Sequence, residues 1–202
     1  MIKRISAHYV FPVSSPPVRY GVVVTDGEGT ITEVVDPGGE AREYAGTVFY
    51  SGVVVPGFII CLKIAGDHSE EEAVRVRAML RGCGCRAVVT AFRDRAFRED
   101  LLTGTAEEMA PGRAAAAEKE MVVIRKNPGE EVLVRDLFPE PGGSVEVFGE
   151  RLYRLTLAGA RALAMPEAGC LAPGCRPGVI VLEMEGWKVE ARSSKGERAM
   201  KR

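Results

Sequence analysis

The first 58 residues are a succession of short apolar runs, rich in β-branched residues, that are separated by turn-forming residues. Asp26-Gly27-Glu28-Gly29 lies between two runs, and Asp36-Pro37-Gly38-Gly39 follows another; both contain the residue types that tight turns require. The pattern therefore predicts a small β-sheet region at the beginning of the chain. Its strands are predicted at residues 5–10, 21–25, 30–35, 47–50 and 53–55.

The patterning changes from strand-like to helical after Pro56-Gly57. Ser69-Glu70-Glu71-Glu72 is a capping box, in which the serine hydroxyl and the glutamate three residues later accept hydrogen bonds from free backbone N–H groups of the first turn. A helix is predicted from there to residue 81, with Ala73, Val76 and Leu80 on its buried face. Because residues 86–92 read as a buried strand, residues 53–92 are predicted to form one strand, helix, strand unit.

The remainder of the chain alternates weaker helical and strand patterns. The strongest helical pattern covers residues 150–164 and places Tyr153, Leu157, Ala160 and Ala164 on one face. The polar, basic residues 193–202 are predicted to be disordered. Further helices are predicted at residues 97–102 and 114–120, and further strands at 121–125, 131–134, 179–183 and 187–191.

Charge and cysteine content exclude several classes of function. The 27 basic and 28 acidic side chains leave a net charge of −1, so there is no basic field to attract nucleic acid. The longest apolar run, residues 53–62, is too short to span a membrane and contains Pro56 and Gly57. The N-terminus has no secretory signal, and five cysteines do not make a complete disulfide framework, so a cytoplasmic protein with reduced thiols is expected.

Two segments resemble the amidohydrolase family, metal-dependent hydrolases of cyclic amides, deaminated bases and related C–N substrates. The first segment is residues 53–59, Val-Val-Val-Pro-Gly-Phe-Ile. It is similar to the strand and turn by which those enzymes pass from a β-sandwich into a catalytic barrel, and Pro56 and Gly57 stand at the turn. The second segment has two parts, a helix and the turn that follows it. Residues 156–163, which include Gly159, resemble the late helix of the family. Residues 169–178 resemble the turn that returns to the sandwich, with Pro173, Gly174, Pro177 and Gly178 as its structural residues.

The resemblance fails at the positions where the family binds its catalytic metal. There, an acidic or amide residue and a His-x-His pair follow the Pro-Gly-Phe-Ile turn, whereas Leu62 and Ile64 stand at the two ligand positions in this chain. Neither side chain has a lone pair, and a catalytic zinc needs at least three N, O or S donors from the protein. The chain has only two histidines, His8 and His68. No metal site, no catalytic residue and no cofactor is therefore predicted.

The length of the middle of the chain also differs from that of the family. A (β/α)8 barrel takes about 250 residues and rarely fewer than roughly 200, whereas residues 60–150 provide 91, counted inclusively. The predicted fold class is therefore α+β: a composite β-sandwich formed by residues 1–58 and 166–192, with residues 59–165 as a small α/β insert in place of the barrel.

Other candidate sites have ordinary structural interpretations. Four thiols at Cys83, Cys85, Cys170 and Cys175 could bind zinc, but their spacing is not that of zinc knuckles, and buried apolar thiols are the alternative. Lys63 could be a desolvated catalytic amine or a surface residue at a strand end. Cys61 could be a nucleophile or a packed core thiol, and His68 is interpreted as a solvated residue before the helix cap. The charged run at residues 93–98 could bind an anion or could be a solvated face.

The sequence leaves three functional hypotheses open. The first is a non-catalytic binding or structural module on a degenerate amidohydrolase scaffold, which would be a homo-oligomer because loss of the barrel uncovers apolar surface. The second, implied by the resemblance, is a metal-dependent hydrolase of non-peptide C–N bonds with a rebuilt site. The third is a partner subunit for a full-length amidohydrolase.

Overall fold

The chain divides into two compact units. The described strands of one unit form a mixed sheet, and those of the other form a parallel sheet. A computed structural model describes residues 2–64, 69–82, 84–90, 102–105, 122–124, 145–185 and 188–193. The composite unit consists of Met1–Gly57 and Pro166–Arg202, and the insert unit of Phe58–Met165. The described residues form a mixed α+β structure, which confirms the predicted class.

The composite unit is built on a seven-stranded mixed sheet drawn from both ends of the chain. The strand order is β11-β10-β5-β1-β3-β4, with the short β2 paired to β1. The neighbours β1 and β5 are parallel, and every other described pair in the sheet is antiparallel. The strands are β1 (Lys3–Val10), β2 (Val18–Arg19), β3 (Val22–Thr25), β4 (Ile31–Val35), β5 (Thr47–Pro56), β10 (Val179–Glu185) and β11 (Lys188–Ser193).

One hydrophobic cluster joins the two ends of the chain across this sheet. Ile5 and Ala7 of β1, and Val179 and Val181 of β10, lie two positions apart and face it, as the period of two along a strand requires. Leu171, from the segment before β10, is buried in the same cluster. The cluster consists of Ile5, Ala7, Val10, Val23, Ile31, Val54, Leu171, Val179 and Val181.

The predicted break between the strands at 47–50 and 53–55 is wrong, because β5 is continuous. Ala7 of β1 pairs with Tyr50 of β5, and Tyr9 of β1 pairs with Val53 of β5. The chain therefore advances by three residues in β5 where it advances by two in β1. This is a β-bulge at Ser51-Gly52, where an extra residue is accommodated without ending the strand. A glycine in an apolar strand pattern was the signal for it.

The turn between β3 and β4 is organised by the carboxylate of Asp26. Its Oδ1 accepts hydrogen bonds from the N–H groups of Glu28 at 2.8 Å and Thr30 at 2.9 Å. Gly29 adopts a φ of +88°, the left-handed conformation that the predicted turn requires. Hydrogen bonding from the backbone N–H of Thr30, followed by smaller contributions, lowers the pKa of Asp26.

We expect Asp26→Ala to lower the melting temperature at neutral pH by more than it does in acid. A lowered pKa stabilises the fold above the unfolded-state value of about 3.9, and this contribution is lost as the pH falls through the folded-state pKa. Thermal denaturation of both proteins between about pH 7 and pH 2 measures the difference. Asp26→Asn, which keeps an acceptor oxygen without the charge, is the control, and a difference independent of pH would contradict the prediction.

The insert unit contains a four-stranded parallel sheet of order β8-β7-β6-β9. Its central strand β6 is buried from Phe58 to Cys61, as expected for a strand of a parallel sheet covered on both faces. The elements are β6 (Phe58–Ile64), α1 (Glu70–Gly82), β7 (Cys85–Thr90), β8 (Leu102–Thr105), β9 (Val122–Ile124), α2 (Val145–Leu155) and α3 (Leu157–Ala162).

The first helix has the predicted position and cap. The N–H of Glu72 donates to Ser69 Oγ at 3.2 Å, and the N–H of Ser69 donates to Glu72 Oε2 at 2.8 Å, which is a complete capping box. Ala73, Val76 and Leu80 are buried, as predicted. The strand that precedes this helix, however, is β6 and not residues 53–55, because the chain resumes a strand directly after Gly57.

The predicted single helix over residues 150–164 is wrong at both ends and in the middle. The helical region begins at Val145 and is broken at Thr156, whose φ of −135° and ψ of −84° are not helical. Thr156 Oγ1 donates to the carbonyl of Leu152 at 2.6 Å, a local bond that competes with the helix ladder. Ala164 is not on the buried face, because it lies beyond α3, is exposed and has a φ of +55°.

Several other predicted elements differ from the structure or lie outside its described residues. Leu102 begins strand β8 and does not end a helix, and Ser193 ends β11 and does not begin the tail. The predicted helix at 114–120, the strand at 131–134 and the tail at 194–202 lie outside the described residues. None of the helices that the structure describes is long and apolar enough to cross a membrane.

Candidate functional site

The carboxyl end of β6 is the place in the insert unit where a ligand site is expected. Parallel α/β sheets bind ligands at the carboxyl ends of their strands, particularly where the strand order reverses. The order reverses at β6, because β7 and β8 lie on one side of it and the later β9 on the other. Leu62 is in register with Thr90 of β7 and Val122 of β9, and Ile64 with Ile124.

The residues at this end of β6 do not fit the metal centre that the family resemblance implies. Leu62 and Ile64 stand in β6 at the two positions that the resemblance assigns to metal-binding histidines, and aliphatic side chains cannot donate a lone pair. Within the described ranges, no group of three or more His, Cys, Asp or Glu residues is arranged to hold a metal ion. His68 lies outside the described residues, and His8 belongs to β1 of the composite unit.

Residues with hydroxyl or amine groups occur in the strands at this end of the sheet. Thr90 of β7 is in register with Thr105 of β8, and Lys63 of β6 is in register with Val123 of β9. Such groups can donate hydrogen bonds to a polar ligand. Lys63 is a candidate that the sequence indicates, whereas Thr105 is not. The sequence pattern predicts a helix at residues 97–102 and no strand directly after it.

The Pro56-Gly57 turn is fixed by the late turn of the chain. The N–H of Gly57 donates to the carbonyl of Gly178 at 3.0 Å, directly after Pro56 ends β5. Gly178 has a φ of +74°, a conformation that favours glycine. Val179, which follows Gly178, pairs with Pro56 and begins β10. The two turns singled out by the family resemblance therefore meet in space.

The other half of the late turn holds the beginning of β4. Ile31 donates its N–H to the carbonyl of Cys175 at 2.7 Å and accepts a hydrogen bond from the N–H of Gly174 at 2.8 Å. Gly174 has a φ of +86°. Pro177 is buried, whereas Pro173 is exposed. These contacts join the late turn to the beginning of β4.

Gly159 brings helix α3 into close contact with β6. A Cβ atom added to Gly159 would overlap the carbonyl oxygen of Ile59 and lie 2.8 Å from Ile59 Cγ2. Only glycine permits this approach of a helix to a strand. The residue therefore holds α3 against the strand that carries Leu62 and Ile64.

Cys170 and Cys175 form a buried pair of thiols in the composite unit. Their Sγ atoms are 3.5 Å apart. Burial, together with the contact to Cys170, raises the pKa of Cys175 to about 11, so this residue is a neutral thiol at pH 7. Cys85 and Cys61 are buried in strands of the insert unit, and Cys83 lies outside the described residues. The structure does not bring four cysteines together in its described part.

His8 lies in an exposed aromatic cluster on the sheet of the composite unit. Its ring meets Phe49 edge-on with the centroids 5.2 Å apart, and Tyr20 at 6.1 Å. The guanidinium of Arg19 lies 5.1 Å from the Tyr20 ring centroid. Among the described residues, the ring contacts of His8 are therefore with aromatic side chains.

Solved structures that are similar to this chain include several deaminases and an amidohydrolase, which confirms the predicted resemblance at the level of the fold. Aminofutalosine deaminase from Helicobacter pylori matches with a TM-score of 0.55 at 11% sequence identity, covering 94% of this chain and 94% of that chain. At this identity the likeness concerns the fold alone.

Two further solved structures are similar over comparable lengths. An adenosine deaminase from Xanthomonas campestris with bound zinc has a TM-score of 0.47 and 11% identity, covering 90% of this chain and 84% of that one. Guanine deaminase from E. coli has a TM-score of 0.46 and 11% identity, covering 91% and 89%. No family model matches the sequence, and no curated protein matches it.

Proposed function

We propose that this protein is a non-catalytic binding or structural module built on an amidohydrolase-type fold. The observation that carries the proposal is the chemistry at the carboxyl end of β6, where Leu62 and Ile64 occupy the positions of the family's metal-binding histidines. Without donors there, the metal that would activate water for C–N hydrolysis has no first pair of ligands. Thr90 and Thr105, which are in register with each other, are polar residues at the same end of the sheet, and the proposed ligand is therefore a polar one.

The proposal extends to the architecture and the setting of the protein. The composite unit would be the β-sandwich domain of the fold, supported by the shared core of β1, β5 and β10, and the insert unit would replace its barrel. The turn residues Pro56, Gly57, Gly159, Pro173, Gly174, Pro177 and Gly178 would be structural. The protein would act in the cytoplasm, as a homo-oligomer or together with a full-length amidohydrolase.

Metal content tests the proposal. Protein produced in zinc-supplemented medium should contain much less than one equivalent of metal per chain by elemental analysis, and a chelator should not change its melting temperature. The double variant Cys170→Ser, Cys175→Ser is the control, since this thiol pair is the described group most able to collect adventitious zinc. About one equivalent of metal that persists in the double variant, with hydrolysis of a C–N substrate, would support the hydrolase alternative and overturn the proposal.

A further inference from the structure

Within the residues that the structure describes, the parallel sheet of the insert unit has two outer strands whose own sequences lack the usual protection of sheet edges. Among the described strands, β8 and β9 each have one neighbour. Natural edge strands are commonly protected by charged residues, proline or a bulge. The residues of these two strands, Leu-Thr-Gly-Thr at 102–105 and Val-Val-Ile at 122–124, include neither a charge nor a proline.

The neighbour relations of the four strands are those of an arc cut from a closed barrel. In a barrel of successive βα units, the first strand lies between the second and the last. In the insert unit the first strand, β6, lies between the second, β7, and the last described, β9. The opening of the arc is therefore between β8 and β9, which would be joined by further parallel strands in a closed barrel.

The connection between the two outer described strands is too short to fill this opening. Only 16 residues separate Thr105 from Val122. A crossover between parallel strands takes a dozen or more residues, so this length suffices for the single connection from β8 to β9. A strand at 131–134, which the sequence predicts, could cover one edge but not both.

We propose that a second copy of this chain closes the sheet, so that two insert units form one eight-stranded parallel barrel. A twofold axis along the barrel axis keeps all eight strands in one direction, and β8 of each subunit pairs with β9 of the partner subunit. Eight is the strand number at which side chains fill the interior of a parallel barrel. Both edges are then paired in two identical junctions. The inference is independent of whether the carboxyl end of β6 binds a metal.

The first test is the mass in solution, with proline substitutions in β8. Light scattering should give twice the chain mass of 21.8 kDa. Adjacent residues of a strand direct their N–H groups to opposite sides of the strand. Of the two variants Thr103→Pro and Gly104→Pro, one therefore removes a backbone hydrogen bond to β7, and the other removes a backbone hydrogen bond to the partner subunit. The second kind of variant should remain folded by circular dichroism and show the monomer mass. A monomer mass for the native chain at all concentrations would overturn the inference.

The second test is cross-linking between the two edges, which also identifies the pairing. Thr103→Cys is combined in turn with Val122→Cys, Val123→Cys or Ile124→Cys, and the proteins are oxidised with a mild disulfide reagent. At least one combination should give a covalent dimer on non-reducing gels, whereas each single variant should not. A dimer that Thr103→Cys alone can cross-link would place β8 against β8 and would contradict the barrel. Metal content plays no part in either test, so failure here is distinguishable from failure of the proposed function.

Discussion

Replacement of Gly159 by alanine should destabilise the protein by about 2 kcal/mol or more, although alanine is the better helix former. The gain in helix propensity is about 1 kcal/mol. Against it stands the overlap of the new methyl group with the backbone of Ile59, which has no rotamer by which to move away. Overpacking of a close contact commonly costs about 1–3 kcal/mol and occasionally more, and an overlap with a backbone carbonyl belongs at the upper end of this range.

Gly149→Ala is the matched control for this prediction. Gly149 lies in helix α2 of the same unit, and a Cβ atom there meets nothing within 4 Å. The same substitution should therefore raise the free energy of unfolding by up to about 1 kcal/mol. Urea denaturation followed by far-UV circular dichroism measures both changes. If Gly159→Ala were as stable as the native protein, α3 could not lie as close to β6 as the structure places it.

The contrast between these two glycines illustrates which parts of the fold could be predicted from the sequence. The capping box at Ser69 and the turn at Asp26 depend on residues that are three or four positions apart, so the pattern itself contains the interaction. The contact of Gly159 with Ile59 joins residues 100 positions apart. The resemblance to a family singled out Gly159 as a structural residue, but nothing in the sequence indicated its contact with Ile59.

The errors in the predicted elements have the same physical origin. The bulge at Ser51-Gly52 exists because β5 must stay paired with β1, which is a tertiary requirement. The break at Thr156 depends on a bond to Leu152 that a helical pattern does not reveal. Strand β8, with the sequence Leu-Thr-Gly-Thr, has no amphipathic period, and its pairing with β7 alone identifies it.

The sequence predicted which residues stand in β6 at the candidate site, but not which strands lie beside them. The family resemblance assigns Leu62 and Ile64 to the ligand positions, and the structure locates both in the strand at which the order of the sheet reverses. The proximity of Thr90 to Thr105 and of β6 to β9 required the sheet itself. Strand order is a property of long-range pairing, so local patterns do not determine it.

Leu171→Ala should be the other strongly destabilising substitution, with a loss of about 3 kcal/mol in the free energy of unfolding. Leu171 is only 1% exposed and belongs to the core cluster that β1, β5 and β10 share. Its backbone N–H donates to the carbonyl of Pro12 at 3.0 Å, so the surrounding backbone is held in place and cannot readily collapse into the cavity. Buried Leu→Ala substitutions cost about 2–5 kcal/mol, and the cost rises with the cavity that remains.

Leu171→Ala also tests whether the two ends of the chain form one composite unit. Leu171 comes from the late part of the chain, whereas Ile5 and Val23 in the same cluster come from the beginning, so the loss measures how strongly the two ends are joined. Ile2→Ala removes an aliphatic side chain that is 62% exposed, and it should change the free energy of unfolding by less than about 0.5 kcal/mol. Urea denaturation of the two variants beside the native protein measures the difference. Similar small losses for both would mean that the late segment does not complete the core of the sheet, and the two ends of the chain would then not form one unit.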